Sequence, residues 1–230
     1  MYRTSQQSKM SSSRCAALFF ALAAAAPPPP PPPMAPAFTV NFTETFSGYP
    51  APPTTGAWYY DWPRRLWRAD HNAPQNNNFC SCANNATTAA CSLLFVPVAP
   101  GHPDGGLFAE FPDAPGDCCR LCGPAEGCTP LMPTWLSASA RKTYAGLDAR
   151  GCGTWCEPGD EAAADCMSFG AKSRGACLYT ETFRFGQTAV VHNLTFDLST
   201  YVEAAPPAAL FAVRPACSKP CPRLFPATCG

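Results

Sequence analysis

Charge is scarce in this 230-residue chain. Asp, Glu, Lys and Arg make up 14%, and 16 residues of each sign leave a formal net charge of zero. Such a balance builds no directional field, so neither nucleic acid nor an anionic membrane is an expected partner. Histidine is nearly absent, at three. Phosphate-loop, dinucleotide-binding, His-Glu-x-x-His and Gly-x-Ser-x-Gly sequences are all missing, which removes the common nucleotide, zinc-protease and serine-hydrolase chemistries. There is no βαβ alternation of the kind a nucleotide-sugar domain requires. Apolar runs are short as well. The longest candidate, residues 15–26, has 12 residues and cannot span a bilayer, so no transmembrane segment is expected.

Cysteine and proline are abundant instead, at 15 and 28. Cys15 lies in the leader. The other 14 form four groups: Cys80, Cys82 and Cys91; Cys118, Cys119, Cys122 and Cys128; Cys152, Cys156, Cys166 and Cys177; Cys217, Cys221 and Cys229. An even number of clustered cysteines in a chain with a secretory start reads as a disulfide framework in an oxidising compartment. We expect no free thiol, mostly local pairing within the groups, and a bridge from the Cys118–Cys128 knot to Cys152 or Cys156. The rival reading is zinc. Cys119-x-x-Cys122 has half-site spacing, but no second half-site follows. No metal or other cofactor is therefore expected.

Residues 1–26 read as a secretory signal peptide, with Arg3, Lys9 and Arg14 ahead of the apolar stretch. Residues 27–37 read as a Pro-rich linker; seven consecutive prolines, Pro27 to Pro33, form a stiff polyproline II spacer expected to be solvated and outside the fold. Residues 38–230 read as a single Cys-rich β domain. Phe38, Val40 and Phe42 alternate with Thr39, Asn41 and Thr43, which is the pattern of a strand with one buried face. Further strands are expected over 92–97, 106–111, 176–185 and 188–198, with one or two in 143–157 and a short extended piece at 210–213. Glu110 is expected to face outward. A short helix is expected over 134–142, and residues 158–175 read as a loop. About eight strands and little helix point to a mainly β protein, a curved antiparallel sheet of half-barrel form. Asn41, Asn85 and Asn193 each begin an N-glycosylation sequon.

The densest stretch is residues 56–71. Trp58, Tyr59, Tyr60, Trp62 and Trp67 fall within ten residues. Aromatic residues favour a pleated, half-buried surface, so 57–61 and 65–70 read as the two arms of a hairpin turning at Asp61-Trp62-Pro63-Arg64. Alternation places Arg64, Leu66 and Arg68 on one face and Arg65, Trp67 and Ala69 on the other. Asp61 reads as the residue that caps the turn or pairs with Arg64 or Arg65.

Five short motifs in order resemble an uncharacterised family of secreted plant and algal proteins: Tyr60-Asp61-Trp62-Pro63, Pro133-Thr-Trp135-Leu136, Tyr144-Ala-Gly146, Cys152-Gly-Thr-Trp155 and His192-Asn-Leu-Thr-Phe196. The high cysteine count departs from that family, as does Cys156-Glu157 in place of its Lys-x-Asp. More remotely, the Tyr60-Asp61…Arg68 hairpin and the closing Pro207…Phe211…Pro215-Ala-Cys217 are similar to ependymin-related proteins. That resemblance implies a secreted, disulfide-bonded half-barrel like the bacterial lipoprotein carriers, with an apolar pocket and calcium binding.

The expectation from these readings is a secreted, glycosylated binding protein, extracellular or held in a cell wall or endomembrane lumen. It would bind rather than catalyse. An apolar concave pocket would be walled by Trp58, Tyr60, Trp67, Trp155, Phe183 and Phe185, with Arg64, Arg65 and Arg68 receiving the head group of a lipid-like or other amphiphilic ligand. The alternatives are a carbohydrate-active enzyme that uses a carboxylate pair drawn from Asp61, Asp70, Glu110 and Glu181, and a structural extracellular module without a ligand. His71 and His192 are the acid–base candidates, though a strand-borne His is more often structural.

Overall fold

The structure, a computed structural model, describes residues 27–48, 52–72, 80, 90–98, 105–113, 118–126, 128–159, 164–170, 175–185, 188–214, 217 and 219–221, the side chains of 183–185 excepted. Asn85, Cys82 and Cys229 lie outside these residues.

The alternation that begins at Phe38 runs on for the whole of β1 (Ala37–Ser47): Phe38, Val40, Phe42, Glu44 and Phe46 are buried, while the residues between them are exposed or half-buried. On one side of β1 the chain meanders outward through β2 (Thr54–Asp61), β3 (Leu66–His71), β4 (Cys91–Val96), β5 (Gly106–Glu110) and β6 (Cys119–Cys122). On the other side lies β11 (Thr188–Val202), followed outward by β10 (Ala176–Phe185), β9 (Ala164–Gly170), β8 (Cys152–Pro158) and β7 (Thr143–Leu147). Every pairing in this 11-stranded open sheet is antiparallel. The sheet must curl. β5 and β10 are six ladder steps apart, about 29 Å if flat, yet Leu107 of β5 and Tyr179 of β10 line one small cavity.

Eleven strands replace the expected eight. β6 falls within the Cys knot and β9 within the expected loop, both short and without an apolar period of their own. Pairing with neighbours makes them strands, and the Cys156–Cys166 bridge ties β8 to β9. The helix expected over 134–142 is only α1 (Trp135–Ala138); Leu136 is its one buried residue, and Thr134 makes no side-chain cap. One buried side chain cannot hold a longer helix. The piece expected to be extended at 210–213 begins instead inside a 3₁₀ turn, Ala208–Phe211.

Six disulfides join described cysteines. Four are local: Cys80–Cys91, Cys122–Cys128, Cys152–Cys177 and Cys156–Cys166. Two tie the knot to the C-terminal segment, Cys118–Cys217 and Cys119–Cys221. The bridge expected from the knot to Cys152 or Cys156 is absent, because those two cysteines face β10 and β9 across the sheet and pair there.

The polyproline segment is exposed at Pro27–Pro30 and Pro33, as expected of a solvated spacer, but it touches the domain along one side. Pro31, Met34 and Ala35 are buried, and the run Pro28–Pro31 lies against Tyr144 and Trp155. The indole Nε1 of Trp155 donates to the carbonyl of Pro29 at 3.0 Å. Polyproline II satisfies none of its own carbonyls and is stiff before it docks, so an aromatic ledge with one donor holds it at little entropic cost. Trp155 is thereby engaged with the N-terminal segment.

Two segments cover the sheet. The crossing from β6 to β7 spans the concave side, where Leu131 packs on the core, the Tyr60 hydroxyl donates to the Leu131 carbonyl at 2.5 Å, and Met34 N donates to the Pro133 carbonyl at 2.9 Å. The described residues between 206 and 221 cover the convex side of β3 to β5, with Phe211 and Cys217 packed on Leu94, Val96 and Phe108. This second cover accounts for Glu110, which faces away from the concave side and is nonetheless buried. It accepts from Arg214 N at 3.3 Å.

Gly56 has a particular place in the ladder. It stands opposite Phe42 of β1 and opposite His71 of β3, on the concave face. A Cβ here would collide with the Asp70 carbonyl oxygen and the Phe42 ring. The missing side chain lets His71 reach over β2 to β1. Gly56→Ala is expected to cost about 1–3 kcal/mol through overpacking, read as a lower urea midpoint with an unchanged m-value.

Candidate functional site: a concave cavity floored by Glu44 and two histidines

The concave face holds a cavity of about 230 Å³. Trp58 and Tyr60 of β2 and Trp67 and Ala69 of β3 form one side; Leu93 and Leu107 continue it, and Tyr179 and Leu194 stand on the β10–β11 side. Thr129 and Leu131 of the crossing segment complete the lining. Period-two alternation explains the set: Trp67, Ala69 and His71 share one face of β3, and Leu194 and His192 share one face of β11.

The wall is mostly apolar; beside the Thr129 hydroxyl and the polar tips of its tyrosines it holds Glu44, His71 and His192, all three buried. Glu44 accepts from both imidazoles: His71 Nδ1 lies 3.1 Å from Oε2, and His192 Nε2 lies 2.7 Å from Oε1. The other nitrogen of His192 lies 3.5 Å from Oε2 of Glu181. Burial pushes the Glu44 carboxyl up, but the hydrogen bonds from His192 and His71 more than reverse this and hold it at about 2. Burial works against a charged His192, and the hydrogen bonds to Glu181 and Glu44 overcome it, lifting the imidazole to about 9. The floor is therefore an ion pair of Glu44 and His192 with His71 alongside. Beyond it, burial and then the charges of Glu181 and Glu157 raise Asp165 to about 6.

One more polar atom matters. The indole Nε1 of Trp58, a wall residue, is buried with no hydrogen-bond partner among the described residues. Burying a donor unpaired is costly, and the described residues supply no acceptor for it.

Of the residues singled out from the sequence, Trp58, Tyr60 and Trp67 meet at this cavity. Trp155 does not; it packs on Tyr144 and Phe169 beneath the polyproline segment. Tyr179 and Leu194 stand where the opposite wall was expected. Phe183 and Phe185 belong to β10, but their side chains lie outside the described residues. The three arginines are turned elsewhere. Arg64 Nε donates to Asp61 Oδ2 at 2.6 Å and its Nη2 to the Pro206 carbonyl at 2.6 Å, so Asp61 is the turn-capping partner. Arg65 lies over the Trp62 ring. Arg68 donates to Asp70, Ser92 and the Leu210 carbonyl on the convex face. Arg64 and Arg68 thus hold the C-terminal cover and are not placed to receive a head group in the cavity.

Of the four carboxylates considered for hydrolysis, Asp70 and Glu110 both face Arg68 on the convex side, outside the cavity. Asp61 is at the hairpin turn and Asp70 pairs with Arg68. Glu110 lies under the convex cover, and Glu181 touches His192. Glu110 lies close to Cys118 and Cys217, but those sulfurs are joined to each other, so no thiolate is available to a metal there. Glu44 was missed. Its signal was present: continuing the period of two from Phe38, Val40 and Phe42 puts residue 44 inward, and a carboxylate at an inward position needs a partner.

No family model matches the chain, and no curated protein matches it. Among solved structures, it is similar to an uncharacterised conserved protein from Thermus thermophilus, at 7% identity and a TM-score of 0.43, covering 77% of this chain and 84% of that one.

Proposed function

We propose that this is a secreted, N-glycosylated, disulfide-stabilised binding protein that takes a small apolar or amphiphilic ligand into the concave cavity. The observation that carries this reading is the cavity itself, walled largely by Trp58, Tyr60 and Trp67 and with few polar groups, chiefly at its floor. Small-molecule sites are concave, mostly apolar and fitted with a few polar groups. Six disulfides and the absence, among the described residues, of a helix long and apolar enough to cross a membrane support an extracellular setting. Asn41 is exposed on the outward face of β1, where a glycan has room. The resemblance to ependymin-related half-barrels points the same way.

Size narrows the ligand. A dry apolar cavity of ~150 Å³ takes up benzene, so 230 Å³ suits a molecule of roughly ten non-hydrogen atoms. A whole lipid is too large. The test is titration with 1-naphthylamine, a neutral fluorophore of that size whose emission shifts to the blue in apolar surroundings. Binding in the micromolar range is expected. Trp67→Ala removes a wall and should weaken binding at least about tenfold, while circular dichroism stays native. A probe that remains dark with the folded protein would favour the structural module.

A further inference from the structure

We infer that the ledge of Tyr144 and Trp155 is a recognition surface for polyproline II segments, occupied in cis by the chain's own proline run and open to a proline-rich segment of another protein that displaces it. The ledge is independent of the concave cavity, whose lining includes neither residue. Three observations carry the inference.

The first is how the ledge is built. Tyr144 of β7 and Trp155 of β8 stand opposite each other in register, with ring centroids 5.0 Å apart and planes inclined at 42°. β7 ends the strand order, so the ledge opens at a sheet edge. Two tilted rings make a ridged apolar surface for pyrrolidine rings, and the Trp155 Nε1–H donates to the Pro29 carbonyl at 3.0 Å. Polyproline II segments are read by aromatic-lined grooves, because they arrive stiff and with unsatisfied carbonyls. Lys142, the charged neighbour, is committed to the Ser137 and Ser139 carbonyls, so the contact is made by rings and a neutral donor. The segment already in place therefore defines the ligand's chemistry. The second observation is that its grip is one-sided. Pro27 to Pro30 stay exposed, and a cavity of about 270 Å³ remains between Pro28–Pro31 and the ledge. The third is that the anchor of this segment lies downstream of the run. Met34 and Ala35 are buried in the core, and Met34 N donates to the Pro133 carbonyl at 2.9 Å. The run can therefore lift from the two rings while the anchor stays seated. A short tether gives the cis run an effective concentration of about 1 mM, so a segment that binds the open ledge at about 0.1 mM is weakened about tenfold in the unaltered chain.

The probe is fluorescein-labelled decaproline, followed by anisotropy, with a Gly-Ser decamer as the control. In one full-length variant Pro28, Pro29, Pro30 and Pro31 are all replaced by Ser, which removes the cis ligand and keeps the tether. A second adds Trp155→Phe, which keeps a ring and removes the donor. The Ser variant is expected to bind decaproline about tenfold more tightly than the unaltered chain. Adding Trp155→Phe should weaken that binding about fivefold, the share of one hydrogen bond, with native circular dichroism, and the Gly-Ser decamer should not bind. Equal affinity of the Ser variant and the unaltered chain would overturn the inference, and so would binding that ignores Trp155→Phe. Should the Ser variant lose its native circular dichroism, the unaltered chain decides. Decaproline at about 10 mM must then shift the Trp155 indole N–H resonance by competing with the cis run, and a resonance that stays in place refutes the proposal. If the unaltered protein is a dimer that the Ser variant makes monomeric, the occupant is the run of a second copy, and the reading of a foreign partner fails.

Discussion

Replacing Cys118, Cys119, Cys217 and Cys221 together by Ala is expected to destabilise the fold by about 4–5 kcal/mol, while removing either bridge alone should cost only about 1 kcal/mol. The reason lies in the chain entropy of the unfolded state. Cys118–Cys217 closes a loop of 99 residues and Cys119–Cys221 one of 102. A loop near 100 residues is worth about 4.7 kcal/mol on the entropic account. The two loops are nearly the same loop, so the second bridge adds little once the first is closed. The local bridges inside it shorten its effective length, but the dependence is logarithmic and the change is small. A loss of this size is a large share of a typical 5–15 kcal/mol stability. Urea unfolding of the two double variants and the quadruple variant checks it. Two single-bridge losses that each approach 4 kcal/mol would show that the bridges act independently and would refute the shared-loop argument. The quadruple variant should also release residues 206–221 from the convex face first, which proteolysis at low protease would report.

Glu44→Ala is expected to cost about 3–5 kcal/mol, because it leaves two buried imidazoles, His71 and His192, without the carboxylate that faces both. Glu44→Gln retains an acceptor and the volume but not the charge, so it should fall between Ala and wild type. The same cluster sets the pH range of stability. Glu44 is depressed from 4.5 to about 2, so its contribution is complete above 4.5 and is lost as pH falls toward 2. His192 is raised from 6.5 to about 9, so its contribution is complete below 6.5 and is lost as pH rises toward 9. The cluster's contribution should therefore form a dome, greatest between about pH 4.5 and 6.5 and declining on both sides, and it is read against Glu44→Gln because Asp165, raised from 3.8 to about 6, separately lowers stability as pH rises through that range. The two shifts report one mutual interaction and are counted once, on the order of 3 kcal/mol. Urea midpoints measured from pH 3 to pH 9 should show this dome for wild type and a flattened one for Glu44→Gln. A wild-type profile that stays level from pH 5 to pH 9 would place the proton on the pair differently from the arrangement described.

How much of this was legible in the chain depends on the range over which each feature is specified. β1 was, because period-two burial is a local property of the strand: Phe38, Val40 and Phe42 announce it without help. The hairpin of β2 and β3 was, because Pro63 and the Asp61 cap act within four residues. The same parity put Trp67 and Ala69 on one face and Arg68 on the other, and so they lie. Mainly β architecture followed from the count of such segments, and four of the six described bridges follow the cysteine grouping.

Other features belong to the tertiary structure alone. Which face of the hairpin is concave follows from the curl of all eleven strands, and that decided that Trp67 lines a cavity while Arg68 binds the C-terminal cover. Glu44 meets His71 across 27 residues and His192 across 148, through a gap left open by Gly56 on the strand between β1 and β3. No local pattern encodes such a meeting, since it needs the register of three ladders at once. The polyproline run carries the composition of a linker, and only the ledge of Tyr144 and Trp155, more than a hundred residues later in the chain, holds it against the fold. Local periodicity determined which residues turn inward. The pairing of β1 with β11 in the middle of the curled open sheet, with the covers laid over its two faces, decided what they meet there, because burial and partnership are set by contacts between segments distant in sequence.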